Sequence, residues 1–487
     1  GGDLELSTDA DGKITGAKSL VGAWGQPYTE HRLSSLFARL SYNYDDRYMF
    51  QGTIRRDGSS RFGANNKYGT FPSFSVGWNI MNESFMGSNR HWLNNLKLRA
   101  SWGKNGNDNI GDFNYTTLTS LGSSSNYYYG QTAAMVYGSK ANRLANEDLK
   151  WEESEQTDIG LDLGLWSNKL TFSVDYYIKK TNGMIIEMPI PSYVGEARPY
   201  ANVGDMKNSG LEFELGYKWN IADAHFSIKG NASYLKNELK NLGNETGFLN
   251  FGISQFSDGG TRAENGQPFP FFYGYKTNGI FQNTAEVNAY TNAQGSLIMP
   301  DAKPGDFRFV DTNGDGKITS DDRTNIGNGV PDWTFGLNFE AEWKGFDFTL
   351  FFQGVKGADV FDATFRQDIA SANYPTWVLQ RWTGDGTSNT VPTLGDSKNW
   401  VCSDMYIQDG SYLRLKNITL GYTLPRRLTN KVRISRLRFY ARAENLVTWT
   451  KYWGFDPEIG SGATSLGVDY GIYPQARVYT LGFNISL

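Results

Sequence analysis

Between residues 311 and 322 the chain reads Asp-Thr-Asn-Gly-Asp-Gly-Lys-Ile-Thr-Ser-Asp-Asp, with side-chain oxygens recurring at the spacing of a calcium-binding loop. Asp311, Asn313 and Asp315 take the first, third and fifth positions, Gly316 allows the sharp turn, the Lys317 carbonyl comes next, Thr319 follows, and Asp322 closes the loop. Hard oxygen donors in this pattern suit Ca²⁺ and not a thiophilic metal. Asp322 is shorter than the glutamate usual at the closing position, and no helix is evident on either side, which weakens bidentate closure. A tight Asx-rich turn without metal accounts for the same residues, so both readings stand. A bound ion here would stiffen a loop and not perform chemistry.

No other group of residues promises catalysis. His31, His91 and His225 are far apart, and Cys402 is the single cysteine, which excludes a disulfide framework and gives no support to a zinc or Cys/His site. Glu152-Glu153 resembles a glycosidase carboxylate pair only in composition, and solvated charge explains it more simply. Two aromatic groups have a binding character: Tyr127-Tyr128-Tyr129, and Phe269 with Phe271, Phe272 and Tyr273. They would stack on sugar rings or clasp peptide side chains, or else pack against a partner or neighbouring loops. The sequence therefore predicts a protein that is not an enzyme.

The elements that carry these residues follow a period of two. Leu36, Ala38, Leu40, Tyr42 and Tyr44 alternate with Phe37, Arg39, Ser41 and Asn43, and after Asp45-Asp46-Arg47 the pattern resumes at Tyr48, Phe50, Gly52 and Ile54. Eleven further runs behave alike, from Phe74 to Ile80 through to Tyr479 to Leu487, giving roughly 13 strands. Aromatic residues (28 Tyr, 30 Phe, 14 Trp) and 55 Gly suit a membrane-spanning wall, where rings gather at both interfaces and glycine eases curvature. Mean hydropathy is −0.50, and no run approaches the roughly 20 apolar residues of a membrane helix. Strands whose faces alternate between lipid and water keep hydropathy low, so a barrel remains open. The net charge of −4 gives no basic field for nucleic acid.

A soluble β-sandwich also alternates, and the connections discriminate. Short links near 45–47, 81–95, 166–169, 220–224, 344–345 and 425–436 interleave with long ones at 57–70, 104–156, 180–208, 236–332, 355–412 and 448–477. Terse turns at one rim and long loops at the other are the habit of outer-membrane barrels. The fold class expected is therefore all-β, a transmembrane antiparallel barrel over residues 31–487, with residues 1–30 among the extracellular loops. An odd strand count starting outside implies a fragment opened at an exposed loop.

The stretches YNYDDRYMFQGTIRRDGSSRFG (42–63), LKLRASWGKNGN (96–107), WEESEQTDIGLDLGLWSNKLTFSVDYYIKKTNGMI (151–185) and PGDFRFVDTNGDGKITSDDRTNIGNGVPDWTFGLNFE (304–340) carry a family likeness. So do YLRLKNITLGYTLP (412–425) and RLRFYARAENLVTWTKYWGFDPE (436–458). The chain resembles the C-terminal part of SusC/RagA-like TonB-dependent transporters of the Bacteroidetes outer membrane. The likeness implies a barrel of about 22 strands, with a plug and a TonB box lying in an N-terminal part not recognised here. It also implies TonB and a SusD-like surface lipoprotein as partners. The C-terminal strand would be an assembly signal, ending on Leu487 where the family more often has an aromatic residue. The expected function is import of an oligosaccharide, with an oligopeptide as alternative; a passive porin and a non-transporting surface barrel are the rivals from other classes.

Overall fold

The computed structural model describes residues 5–8, 14–19, 30–117, 119–121, 127–129, 134–136, 139–141, 143–188, 190–369, 371–395 and 397–486. Thirteen strands form one sheet: β1 Leu33–Tyr44, β2 Tyr48–Ser59, β3 Tyr68–Asn79, β4 Leu93–Asn107, β5 Glu152–Leu165, β6 Leu170–Glu187 and β7 Tyr200–Ile221. It continues with β8 Ala224–Asn241, β9 Trp333–Trp343, β10 Phe346–Lys356, β11 Tyr412–Thr423, β12 Arg436–Thr450 and β13 Val478–Ser486. Each pairs antiparallel with the next, an up-and-down order without crossovers, and β1 and β13 form the two edges. The expected thirteen strands and their order are observed.

Turn chemistry fixes the register at the short rim. Asp45 and Asp46 have φ of 53° and 51°, and Lys344 and Gly345 have 46° and 90°. Two successive left-handed residues make the turn whose twist matches paired strands. The long rim departs from the expected boundaries: β6 runs to Glu187 and β7 starts at Tyr200, so the connection expected at 180–208 shrinks to 188–199. These strand ends do not alternate, since Lys179-Lys-Thr-Asn182 is polar on both faces and Met184-Ile-Ile186 is apolar on both, which leaves no period of two to read. The expectation for residues 1–30 falls largely outside the described residues; the described segments Glu5–Thr8 and Ile14–Ser19 pair antiparallel.

The apolar face is exposed and not packed on a second sheet. Leu36, Leu40, Phe74, Ile159, Leu215, Leu420, Leu481 and Phe483 all lie open. So wide an apolar surface requires hydrocarbon as its solvent, which rules out the sandwich. Aromatic girdles bound it. Trp333 and Trp343 stand at opposite ends of β9 on one face. At ~3.4 Å per residue and a tilt of about 40°, they differ by ~26 Å in height, close to the ~25 Å apolar band of such barrels. Tyr234 meets Trp333 at 5.2 Å at one level; Phe346 meets Tyr422 at 4.5 Å at the other.

The polar face is laced by arginines that reach across an intervening strand through a glycine. Gly160 of β5 is in register with Arg99 of β4 and Asp175 of β6. A Cβ there would lie 2.1 Å from Asp175 and 2.8 Å from Arg99. Its absence lets Arg99 bind Asp175 at 3.0 Å while holding Asp162 at 2.8 Å. Gly421 of β11 opens the same path between Arg438 of β12 and Asp347 of β10, where Arg438 Nε donates to Asp347 at 2.8 Å. Gly421→Val is expected to break that pair and cost about 1–3 kcal/mol, discounted because the pair is partly solvated. The measurement is the temperature at which the folded barrel loses its compact gel mobility. Gly230→Ala, whose added Cβ meets nothing nearer than 3.5 Å, should leave it unchanged.

Candidate functional site

Three long connections, residues 242–332, 357–411 and 451–477, fold together at the long rim. A four-stranded sheet joins Phe248–Ile253, Phe256–Glu264, Phe271–Gly274 and Thr324–Gly327. A three-stranded one joins Ile407–Asp409, Asp359–Asp362 and Val468–Asp469, with Phe361 opposite Val468 in parallel pairing. Ile253, Phe272, Ile326, Phe361, Phe365, Val378, Cys402, Tyr406 and Val468 form one buried core drawn from all three connections. The sequence shows loops; the structure shows a small folded cap.

Of the aromatic residues singled out from sequence, Phe272 belongs to this core and Phe271 is likewise buried. Phe271 is 2% exposed and Phe272 0%. Phe272 packs on Phe361 at 5.7 Å, and Phe269 packs against the cluster of Leu239, Leu242 and Ala263. Tyr273 is half-buried, with the Arg262 guanidinium 4.1 Å from its ring and 3.8 Å from that of Phe248. Packing within the loops therefore employs Phe271 and Phe272, and neither offers a face to a ligand. The backbone of Tyr127–Tyr129 pairs with Ala134–Val136; the three side chains lie outside the described residues. Exposed rings stand elsewhere on the long rim: Tyr193 (88%), Tyr473 (87%), Phe455, Tyr374 and Trp453, the last 6.5 Å from Trp377.

The 311–322 loop closes around its own carboxylates. Asp311 accepts from the N–H groups of Gly314 at 2.7 Å and Gly316 at 2.8 Å, and Asp315 accepts from Lys317 N at 2.9 Å. Asp322, fully buried, accepts from Thr312 N and Thr319 N, each at 2.8 Å. Asn313 accepts from Asp315 N at 2.9 Å, and the Thr319 hydroxyl caps the short Ser320–Asp322 turn of 3₁₀ helix. Oxygens of Asp311, Asp315 and Asp322 converge within 4.8 Å of one another. Three hard anionic donors at that separation match the demands of Ca²⁺, with Asn313 and the Lys317 carbonyl beside them in the loop.

Sequence reasoning missed the charges that hold the cap. Arg414, at the cap end of β11 and 2% exposed, donates to Thr448 at 2.8 Å, to Glu458 at 2.8 Å and to Asp456. Lys416 adds a 2.7 Å pair to Glu458. Asp362 and Asp469 are opposed in the parallel pairing and both buried. Burial, and then the neighbouring Asp469, push the Asp362 carboxyl above its ordinary range, although its bonds to Thr364 oppose this. Burial and donation to Asp469 raise the Tyr452 phenol likewise. The alternation in Asp359-Val-Phe-Asp-Ala-Thr-Phe365 was the available signal, lost inside a stretch assigned to loop.

Among the described residues, the remaining sequence-derived candidates form no metal-ligating cluster. His31 lies 3.6 Å from Asp108 and His225 2.9 Å from Asn220. Glu152 accepts from Ile185 N at 3.3 Å, and Glu153 pairs with Lys104 at 3.3 Å, which makes both structural. Cys402 is buried and donates to the Tyr273 carbonyl at 3.3 Å.

Comparison with known proteins agrees with this architecture. Residues 2–446 match the family described as TonB dependent receptor-like, beta-barrel. The chain is 35% identical to TonB-dependent receptor P3 of Formosa agariphila, covering 94% of this chain and 46% of that protein. It is 32% identical to the TonB-dependent receptor SusC of Bacteroides thetaiotaomicron, covering 94% and 44% respectively. Among solved structures, the RagAB peptide transporter superposes with a TM-score of 0.75 at 29% identity, covering 93% of this chain and 48% of the other. The RagAB peptide importer in its 'open-open' state gives 0.76 at 28% identity over 94% and 47%. The chain thus spans about half the length of the curated relatives it matches. With an apolar exterior, a terse rim and a folded long rim, it belongs to the TonB-dependent receptor-like β-barrel family, a family of outer-membrane receptors and not of enzymes.

Proposed function

We propose that this chain is barrel wall and cap of a SusC/RagA-type importer that moves an oligosaccharide across the outer membrane. The N-terminal part of the same transporter supplies the plug, TonB supplies the force, and a SusD-like lipoprotein serves as lid. The observation that carries the glycan reading is the set of open rings on the long rim, Tyr193, Tyr374, Trp453 and Tyr473, since flat aromatic faces stack on sugar rings. Oligopeptide import is the second reading, favoured by the RagAB structures, whose names describe a peptide importer. Uptake of labelled oligosaccharide should stop when TonB is deleted and fall roughly thirtyfold in Trp453→Ala/Tyr473→Ala, at about 1 kcal/mol per stacking ring. Unaffected glycan uptake with impaired growth on peptides would transfer the assignment to peptides. Uptake indifferent to TonB would leave a porin.

We further propose that the 311–322 loop takes Ca²⁺ through Asp311, Asp315 and Asp322, with Asn313, Thr319 and the Lys317 carbonyl completing the shell. The convergence of the three carboxylates supports it. Asp315 is exposed, so Asp315→Ala removes one donor without disturbing buried Asp322. Calorimetry should show calcium heat in the unaltered protein and none in the variant. Identical heats in both would leave a metal-free Asx turn.

A further inference from the structure

Five of the six short-rim turns carry at most one lysine or arginine each, whereas Arg426-Arg-Leu-Thr-Asn-Lys-Val-Arg433 carries four and no acid. Arg426, Arg427, Lys431 and Arg433 are all exposed, and no ion pair joins any of them among the described residues. Leu428 stands open between them at 54% exposure. The segment is not a loose tether. It runs as helix from Arg426 to Thr429 and 3₁₀ helix from Asn430 to Val432, with Thr429 buried beneath it. Ile434 N donates to the Thr429 carbonyl at 3.1 Å, and Ser435 N to the Ser486 carbonyl at 2.8 Å, which fastens the turn to the end of β13.

Its height is set by the girdle next to it. Tyr422, four residues before Arg426, packs on Phe346 at 4.5 Å in the short-rim belt, and Phe439 of β12 lies 6.4 Å from Phe483. From that belt the chain climbs at most ~10 Å to the first arginine, whose long side chain can reach back into a headgroup layer ~5–7 Å deep. At that level unpaired cations face lipid phosphates, and a neighbouring open leucine can enter the acyl boundary. We propose that the 426–433 turn is a docking surface for anionic phospholipid headgroups of the periplasmic leaflet. The site gathers phosphates by charge, and Leu428 and the adjoining girdle fix it at the hydrocarbon edge.

The test uses the protein purified from outer membranes in detergent and titrated with phosphatidylglycerol or phosphatidylcholine, lipid retention being counted by native mass spectrometry. Phosphatidylglycerol should be retained preferentially, and the preference should fade with added salt. Arg426→Gln/Arg427→Gln/Lys431→Gln/Arg433→Gln should weaken it by about fivefold per cation removed, with gel mobility confirming a folded barrel. Arg427→Lys, which keeps charge, should bind as the unaltered protein does. Equal retention of both lipids, or an unchanged preference in the quadruple variant, overturns the proposal. So does full displacement by inorganic phosphate at matched ionic strength, which would mark a free-anion site. Loss of a co-purifying periplasmic protein with no change in lipid would assign the surface to that protein instead. If the quadruple variant does not fold, the Arg426→Gln and Lys431→Gln single variants decide by the same criterion.

Discussion

Arg414→Met should release the connection at 451–477 while leaving the strands paired. The guanidinium is 2% exposed and is shared by Thr448, Glu458 and Asp456, and Asp456 in turn accepts from Gln475 N at 2.9 Å. Removing the cation strands the buried Asp456 carboxylate, a loss of about 3–5 kcal/mol for a buried pair broken on one side. Limited proteolysis should then cut between residues 451 and 477, with compact gel mobility of the barrel retained. Arg414→Met/Asp456→Leu should recover part of the loss, because no unpaired charge remains in the interior. A single variant as resistant as the unaltered protein would show that the apolar core alone fixes this connection.

Phe361→Ala carries the second large effect. Phe361 is fully buried, stacked on Tyr406 at 5.5 Å and packed on Phe272 at 5.7 Å and Phe256 at 6.2 Å, so it joins elements from separate connections. Truncating a buried phenylalanine costs about 3–5 kcal/mol, a large share of what so small a core supplies. Hydrogen exchange should accelerate across residues 248–274, 324–327 and 468–469 together, while β4 to β8 keep their protection. Faster exchange confined to the neighbours of residue 361 would mean that the cap is several independent loops.

The wall was legible because its physics is local. Alternation at Leu36 to Tyr44 or Trp333 to Trp343 reports one face in hydrocarbon and one in water, and Asp45-Asp46 reports the turn that fits between. The cap was not legible, since its partners are remote: Phe272 needs Phe361, and Arg414 needs Asp456, and neither neighbour is announced by spacing. For the same reason Phe271 and Phe272 looked like binding residues. An aromatic cluster inside a polar stretch has the same sequence signature whether it meets a ligand or a core. The 311–322 loop lies between these cases, because its donors are contiguous and their convergence follows from the loop itself.

The cap's construction also orders its assembly. The Thr261 hydroxyl donates to the Thr464 carbonyl at 2.7 Å, and Tyr275 N to the Cys402 carbonyl at 2.9 Å, contacts that close very long stretches of chain. Unaided closure of such distances is slow and entropically dear, but strands β9 to β12 already bring their ends to one rim. The surface that meets the outside world therefore matures last, and a wall abandoned partway displays no finished receptor to the medium.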